Sequence, residues 1–433
     1  MKKIVLILST LLVSIGGYSQ GILGGKVTGN FQIDVQASKK DSVIGAEKVN
    51  EKLLTNAFAN ILYTNGDFTA GFRYEAYLNP ILGFDKQYKG AGIPYRFASY
   101  KKDFLEITVG NYYEQFGSGL VFRSYEERNL GLDNAMDGVK IVAKPYSGIV
   151  LKGIVGKQRY YWEDIWQNDN GLVRGLDADI ALNDLISKFS SSDLRLSLGG
   201  SFVSTYQTAE TKYVTVNNNS YQLNIPENIG AGAMRMNLAY KAFSLSGEYA
   251  MKGEDPNAVN NYIYRKGQAL LLTAGYSIAG LGIQVQAKRI DNMSFKSKRT
   301  ETGNMLNVNY LPAITREHSY SLMSMYSYAT QVNGEMGLQA DVMYKIPKNS
   351  FLGGQYGTDV KLNYSRINSI DKKAIDGYAL DQSGTKGYTS SFFKAGDEEY
   401  WEEFNVEINK KFSKDYKMNF MYSYQTFNPI AFG

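Results

Sequence analysis

The stretch "LYTNGDFTAGFRYEAYLNP", residues 62–80, sets Phe68, Ala70, Phe72, Tyr74, Ala76 and Leu78 on alternate positions, with Thr69, Gly71, Arg73, Glu75 and Tyr77 between them. Successive side chains of a strand point to opposite faces, so this strand has one apolar face and one that carries an arginine and a glutamate. Asn65-Gly66 just ahead of it is the strongest short hairpin signal. The same alternation returns at Val27 to Ala37, Leu105 to Tyr113, Leu194 to Tyr206, Phe243 to Met251, Met336 to Tyr344 and Phe404 to Phe412, among others. About 17 strands are expected from it.

The connections separate into two kinds. Tight ones fall at 65–66, near 101–102, and at 145–148, 241–242, 277–280 and 413–415. Long polar ones lie near 38–51, 79–94, 114–136, 160–173, 207–230, 253–268, 294–333 and 368–400, while 184–193 and 346–356 are of middle length and fill tight slots. Short turns at one end and long loops at the other are the signature of an outer-membrane barrel. A soluble sandwich must hide its apolar faces against each other. A closed barrel in lipid turns that face to the acyl chains and satisfies its backbone between neighbouring strands. The fold expected is all-β, a transmembrane antiparallel β-barrel of about 16–18 strands with short periplasmic turns and long extracellular loops.

The parity of the charges agrees. Arg73, Arg96, Lys140, Lys152, Arg195, Arg235, Lys288, Lys361 and Lys417 fall on the non-apolar face, as do Glu75, Glu106, Asp177, Asp179, Glu248, Glu335, Asp341, Asp359 and Glu407. A charge facing lipid at mid-depth would cost roughly 2–4 kcal/mol, so confinement to one parity is expected of a barrel. The two sets balance, which argues against strong ion selectivity and permits a salt-bridged interior as readily as an open pore.

The first residues, "MKKIVLILSTLLVSIGGYSQ", combine two lysines, an apolar run from Ile4 to Ile15, and small residues at Gly17 and Ser19. This reads as a secretory signal over residues 1–19, with residues 20–433 expected to form a single barrel domain. No cysteine is present, so disulfides, thiolate metal sites and a lipid-bearing cysteine are excluded. The net charge of +5 is too slight to imply nucleic acid. The 34 Tyr and 21 Phe against 8 Pro suit strands and membrane interfaces. Trp162, Trp166 and Trp401 fall at the long-loop ends of strands, where they would join an outer aromatic girdle or pack within loops. The last strand runs outward by this count, so either one strand is miscounted or the closing strand is missing from the sequence.

The densest stretch is "GNYYEQFGSGLVFRSYEERNLGLDNAMDG", 110–138, with Glu114, Arg123, Glu126, Glu127 and Arg128 among aromatics and glycines. It reads either as a loop folded into the lumen that narrows the passage, or as an external loop fixed by its own salt bridges. Lumen or constriction candidates are these five residues with Arg73, Glu75, Arg195, Arg235 and Glu248. The run "FGSGLVFRSYEERNLGLDNAMDGV", the block "GGQYGTDVKLNYS" at 353–365 and the leader ending in Ser-Gln resemble an uncharacterised family of Bacteroidota outer-membrane barrel proteins. That resemblance implies fold and location, and supplies no catalytic residues.

Chemistry has little to work with. His318, in "TREHSYS", is the only histidine, so a nucleophile-histidine arrangement must use it. No enzyme activity, cofactor or metal is expected; "NDNG" at 168–171 and "GEDPN" at 253–257 are acidic but lack the spacing of a calcium loop. The aromatic run 320–329 reads as strand extension, lumen plug or docking surface. In the outer membrane of a Gram-negative bacterium, in contact with its lipid, two roles remain. One is a porin-like channel for small polar solutes. The other is a non-conducting barrel that docks a partner envelope protein.

Overall fold

The computed structural model describes residues 24–432 apart from 47, 165–168, 217–218 and 376. The expected signal and Trp166 lie outside the described residues. The chain is all-β, and seventeen strands form one large antiparallel sheet. It divides into two compact units: the chain up to Glu114 with Ser124–Pro145 and Lys152–Asn170, and a second of Gln115–Arg123, Tyr146–Leu151 and everything from Gly171 onward.

The first unit contains β1 (Lys26–Gln36), β2 (Leu54–Asn65), β3 (Phe68–Asn79), β4 (Gly90–Lys102), β5 (Leu105–Tyr112), β6 (Met136–Ala143) and most of β7 (Ile149–Gln158). From β1 to β6 each strand pairs antiparallel with the next in sequence. β3 settles the polarity. Phe72 and Tyr74 are 38% and 44% exposed, whereas Arg73 and Glu75 are 5% and 0% exposed. A soluble protein would show the reverse.

The second unit holds β8 (Leu172–Ala181), β9 (Leu194–Tyr206), β10 (Asn228–Tyr240), β11 (Phe243–Lys252), β12 (Gly267–Ile278) and β13 (Leu281–Asp291). It continues with β14 (Glu335–Ile346), β15 (Thr358–Ala374), β16 (Tyr388–Lys411) and β17 (Lys417–Phe427). These also form a sequential antiparallel meander. On β10, Met234 and Met236 are exposed and Arg235 between them is buried. The same inversion therefore governs both units.

Two expected loops are shorter than their sequence implies. β4 already begins at Gly90, because "GAGIPY" shows no apolar alternation although it pairs with β3. β15 runs to Ala374 and β16 starts at Tyr388, so only 375–387 remain of the loop expected at 368–400. The register between these strands shifts at Ile367/Asn368, Asn368/Ile370 and Ile370/Lys372. Each bulge adds an unpaired residue and breaks the period of two on which the reading depends. Trp401 belongs to no girdle: it is 2% exposed and packs with Ile314, Tyr328 and Ile367. Trp162 lies half-buried in edge contact with Tyr77, its Nε1 donating to Tyr88 O at 2.5 Å.

Candidate functional site

The polar face of the second unit changes character along the strands. Beside the long loops, Ser201 and Thr205 on β9, Arg235 on β10, Lys288 on β13 and Glu335, Gly337 and Gln339 on β14 are buried. Toward the tight turns, Arg195, Asn237, Gln284, Met343 and Lys345 on the same strands are exposed. Whatever covers the face lies at its long-loop end.

The cover consists of two segments of chain. Residues 292–334, between β13 and β14, form turns and one isolated bridge, Lys296 to Asn307, with no named strand, so their polar backbone must find other partners. Some come from residues 115–123: Arg123 N–H donates to Val308 O and Tyr310 N–H to Gly119 O, both at 2.9 Å. Apolar side chains close the joint. Phe116, Leu120, Val121 and Phe122 from one segment and Met293, Leu306 and Val308 from the other are completely buried.

Charged side chains bind this double segment to the strands. Lys288 Nζ lies 2.5 Å from Glu335 Oε1 with both side chains fully buried, and also donates to Pro312 O at 2.6 Å and Thr330 Oγ1 at 3.1 Å. Arg316 Nη2 meets Glu407 Oε2 on β16 at 2.5 Å. His318 Nε2 is held on Glu403, which also accepts from Gln425 Nε2 of β17 at 2.7 Å. The single histidine is thus engaged in an anchor. Lys296 is enclosed within the segment by Gly303 O, Met305 O and Asn307 Oδ1, and burial lowers its ammonium to a pKa of about 8.

At the other contact, Ser118 N–H and Oγ–H donate to Glu248 Oε2 of β11 at 2.7 and 2.8 Å. The adjacent Gly117 sits at φ +53, and a Cβ there would come within 2.5 Å of Glu248 Oε2. Only glycine combines that conformation with that approach. Gly117→Ala is expected to cost about 1–3 kcal/mol in detergent unfolding, from strain and from displacing Ser118. An unchanged midpoint would show that the contact does not hold the segment.

In the first unit, Arg73 reaches Glu75 at 2.6 Å, Glu126 at 2.9 Å and Asp133 at 2.6 Å. Arg159 joins the same group through Glu75 Oε2 and Asp133 Oδ2, both at 2.7 Å. Burial alone would raise the Asp133 carboxyl, but Arg159 and Arg73 outweigh it and hold it below the usual carboxylate range. Tyr95 and Tyr113, stacked at 5.3 Å, line a cavity of about 490 Å³ with Arg73 and Asn60. Arg159 and Asp133 lie outside the alternating strands, so parity gave no signal for them.

The other expected residues divide between the units. Glu114 bridges Lys152 at 2.8 Å and Lys140 at 3.6 Å. Arg128 pairs with Glu126 at 3.0 Å and lies over the Phe58 ring, while Glu127 is exposed and outside the network. These sit in the first unit, where Arg128–Glu126 is internal to the 110–138 stretch and the other pairs tie it to Arg73, Lys140, Lys152 and Arg159 outside it. In the second unit, Arg123 stacks on Tyr310 at 4.1 Å, and Arg235 pairs with Asp177 and Asp179 at 2.8 and 2.7 Å. Arg195 is exposed and lines a cavity of about 340 Å³ with Asn237 and Ser246. In "GEDPN", Asp255 accepts from Lys252 Nζ at 2.8 Å and Asn257 Nδ2 at 3.1 Å, so donors occupy the acidic group. Among the described residues, no group of three or more acidic or histidine side chains could hold a metal ion.

Strands with lipid-compatible outer faces and charge-paired inner faces define a transmembrane β-barrel. Residues 1–432 match the Family of unknown function (DUF6029), and the chain belongs to that family. No curated protein matches it. Among solved structures it is similar to Pseudomonas aeruginosa OpdL, at 13% identity and TM-score 0.43, over 94% of this chain and 95% of that one. It is also similar to the outer membrane protein OprD of Pseudomonas aeruginosa, at 11% identity and TM-score 0.42, over 92% and 87%. A third is Salmonella typhi OmpF in complex with daunomycin, at 12% identity and TM-score 0.37, over 93% and 98%. At such scores these likenesses carry no argument about function.

Proposed function

We propose that the chain is an outer-membrane channel of a Gram-negative cell that passes small polar solutes passively, narrowed by residues 115–123 and 292–334. The observation that carries this reading is the gradient along the polar face, exposed and hydrophilic beside the tight turns and covered beside the long loops. A covering built from chain outside the seventeen-stranded sheet and held on charged anchors is what a constriction needs. The ion pairs nearly cancel, so weak selectivity is expected.

Single-channel recording of the folded protein in a planar bilayer under a salt gradient tests this. Small steady openings with a reversal potential near zero are expected, and Arg123→Glu should shift that potential toward cation preference. Arg128→Glu in the first unit, paired to Glu126, should shift it less. Silence from heat-modifiable, folded protein would defeat the channel reading. It would favour a docking barrel, which the density of buried anchors in the covering segments also suits.

A further inference from the structure

Within the covering segments of the second unit lies a cavity of about 300 Å³, bounded by residues 310–328 and the indole of Trp401. Its walls are of two kinds. The rings of Tyr326, Tyr328 and Trp401 supply flat apolar surface, with Tyr328 and Trp401 5.9 Å apart and Tyr326 56% exposed. Thr315, Ser324, Ser327 and the exposed carboxylate of Glu317 supply hydrogen-bonding groups.

The basic side chains beside the cavity are already engaged. Arg316 is committed to Glu407 and His318 to Glu403. An anionic solute would have to break the Arg316–Glu407 pair or stay unpaired beside Glu317, and a cationic one would find Arg316 nearby and only the solvent-exposed Glu317 to pair with, an attraction worth little in water. A neutral solute with many hydroxyls meets neither cost. Its hydroxyls can both donate to and accept from the polar wall, and its C–H faces can lie against the rings. The volume is at the small end for ligand cavities, enough for a single ring.

We propose that this cavity is a binding site for a neutral polyhydroxylated solute the size of one sugar ring. The assignment rests on the channel reading, for it names the class of solute that such a channel would select. Arg316 and His318 both wall the cavity and anchor the covering segment, so an occupant would touch the groups that hold the constriction in place.

The test is calorimetric titration of the full-length protein in detergent with glucose, galactose and N-acetylglucosamine, against gluconate and glucosamine as size-matched charged probes. Saturable binding of at least one neutral sugar is expected, about tenfold or more tighter than either charged probe. Tyr326→Ala, a half-exposed ring whose loss leaves the core intact, should weaken it about tenfold. Thr315→Val, nearly isosteric, should also weaken it. No saturable binding of any neutral sugar, tighter binding of a charged probe, or affinity unchanged in both variants would each overturn the assignment. Conductance recorded without sugar keeps the two proposals apart. Openings without sugar binding sink only the site, and sugar binding in a silent protein sinks only the channel.

Discussion

Lys288→Met is expected to destabilise the folded protein by about 3–5 kcal/mol, because it leaves the Glu335 carboxylate buried without its cation. Few positions offer so clean a case. Both side chains are fully buried, and Glu335 has as its other donors the Gln331 N–H at 2.6 Å and the Tyr328 hydroxyl. These hydrogen bonds orient the carboxylate but cannot neutralise it. Lys288 also ties β13 to Pro312 and Thr330, so its loss should loosen the covering segment as well as the strand pair. The measurement is loss of heat-modifiable migration and of tryptophan fluorescence in a detergent unfolding series. The double variant Lys288→Met with Glu335→Gln should recover much of the loss, since it removes the orphaned charge. A double variant no more stable than the single would show that the energy resides in the contacts to 312 and 330.

The second large effect is on conductance. Replacing residues 298–329 with a short Gly-Ser linker should raise the open-state conductance severalfold, because these residues carry the anchors Arg316 and His318 and the backbone that pairs with 119–123. Should the excised protein fail to become heat-modifiable, Arg316→Gln with His318→Gln gives a milder probe. Arg316 loses its charge and His318 its ring, while Glu407 keeps Lys361 at 3.4 Å and Glu403 keeps Gln425 at 2.7 Å. Noisier and larger openings are expected from it. Wild-type conductance in both variants would mean that solutes pass elsewhere or that the constriction is another part of the chain.

The sheet was largely legible because lipid imposes a strict rule. Every strand must alternate, and a charge at the wrong parity is costly at each position independently, so Leu194–Tyr206 could be bounded to the residue. The reading failed where that rule lapses. β16 carries "AGDEEYWEE" across register shifts, and a strand with polar groups on both sides looks like a loop. The site was legible in one respect only. Parity put Arg73, Glu75, Arg235 and Glu248 on the polar face, where they are buried, but their partners Arg159, Asp133 and Ser118 lie outside the long alternating strands, where too few residues alternate to show a period. The role of 292–334 escaped for the same reason. Its apolar residues Met293, Phe295, Leu306 and Ile314 follow neither strand nor helix spacing, and only the fold shows that each is buried.

The covering segment also implies an order in time. Hairpin neighbours such as β10 and β11 find each other across a two-residue turn. The anchors of 292–334 do not: His318 and Glu403 are 85 residues apart, Arg316 and Glu407 91, and Gln425 and Met323 102. Loop-closure entropy delays such contacts until the intervening strands have been set in place. The strands are therefore expected to enter the bilayer as a precursor more permeable than the finished protein, and the passage to be narrowed only after insertion is complete.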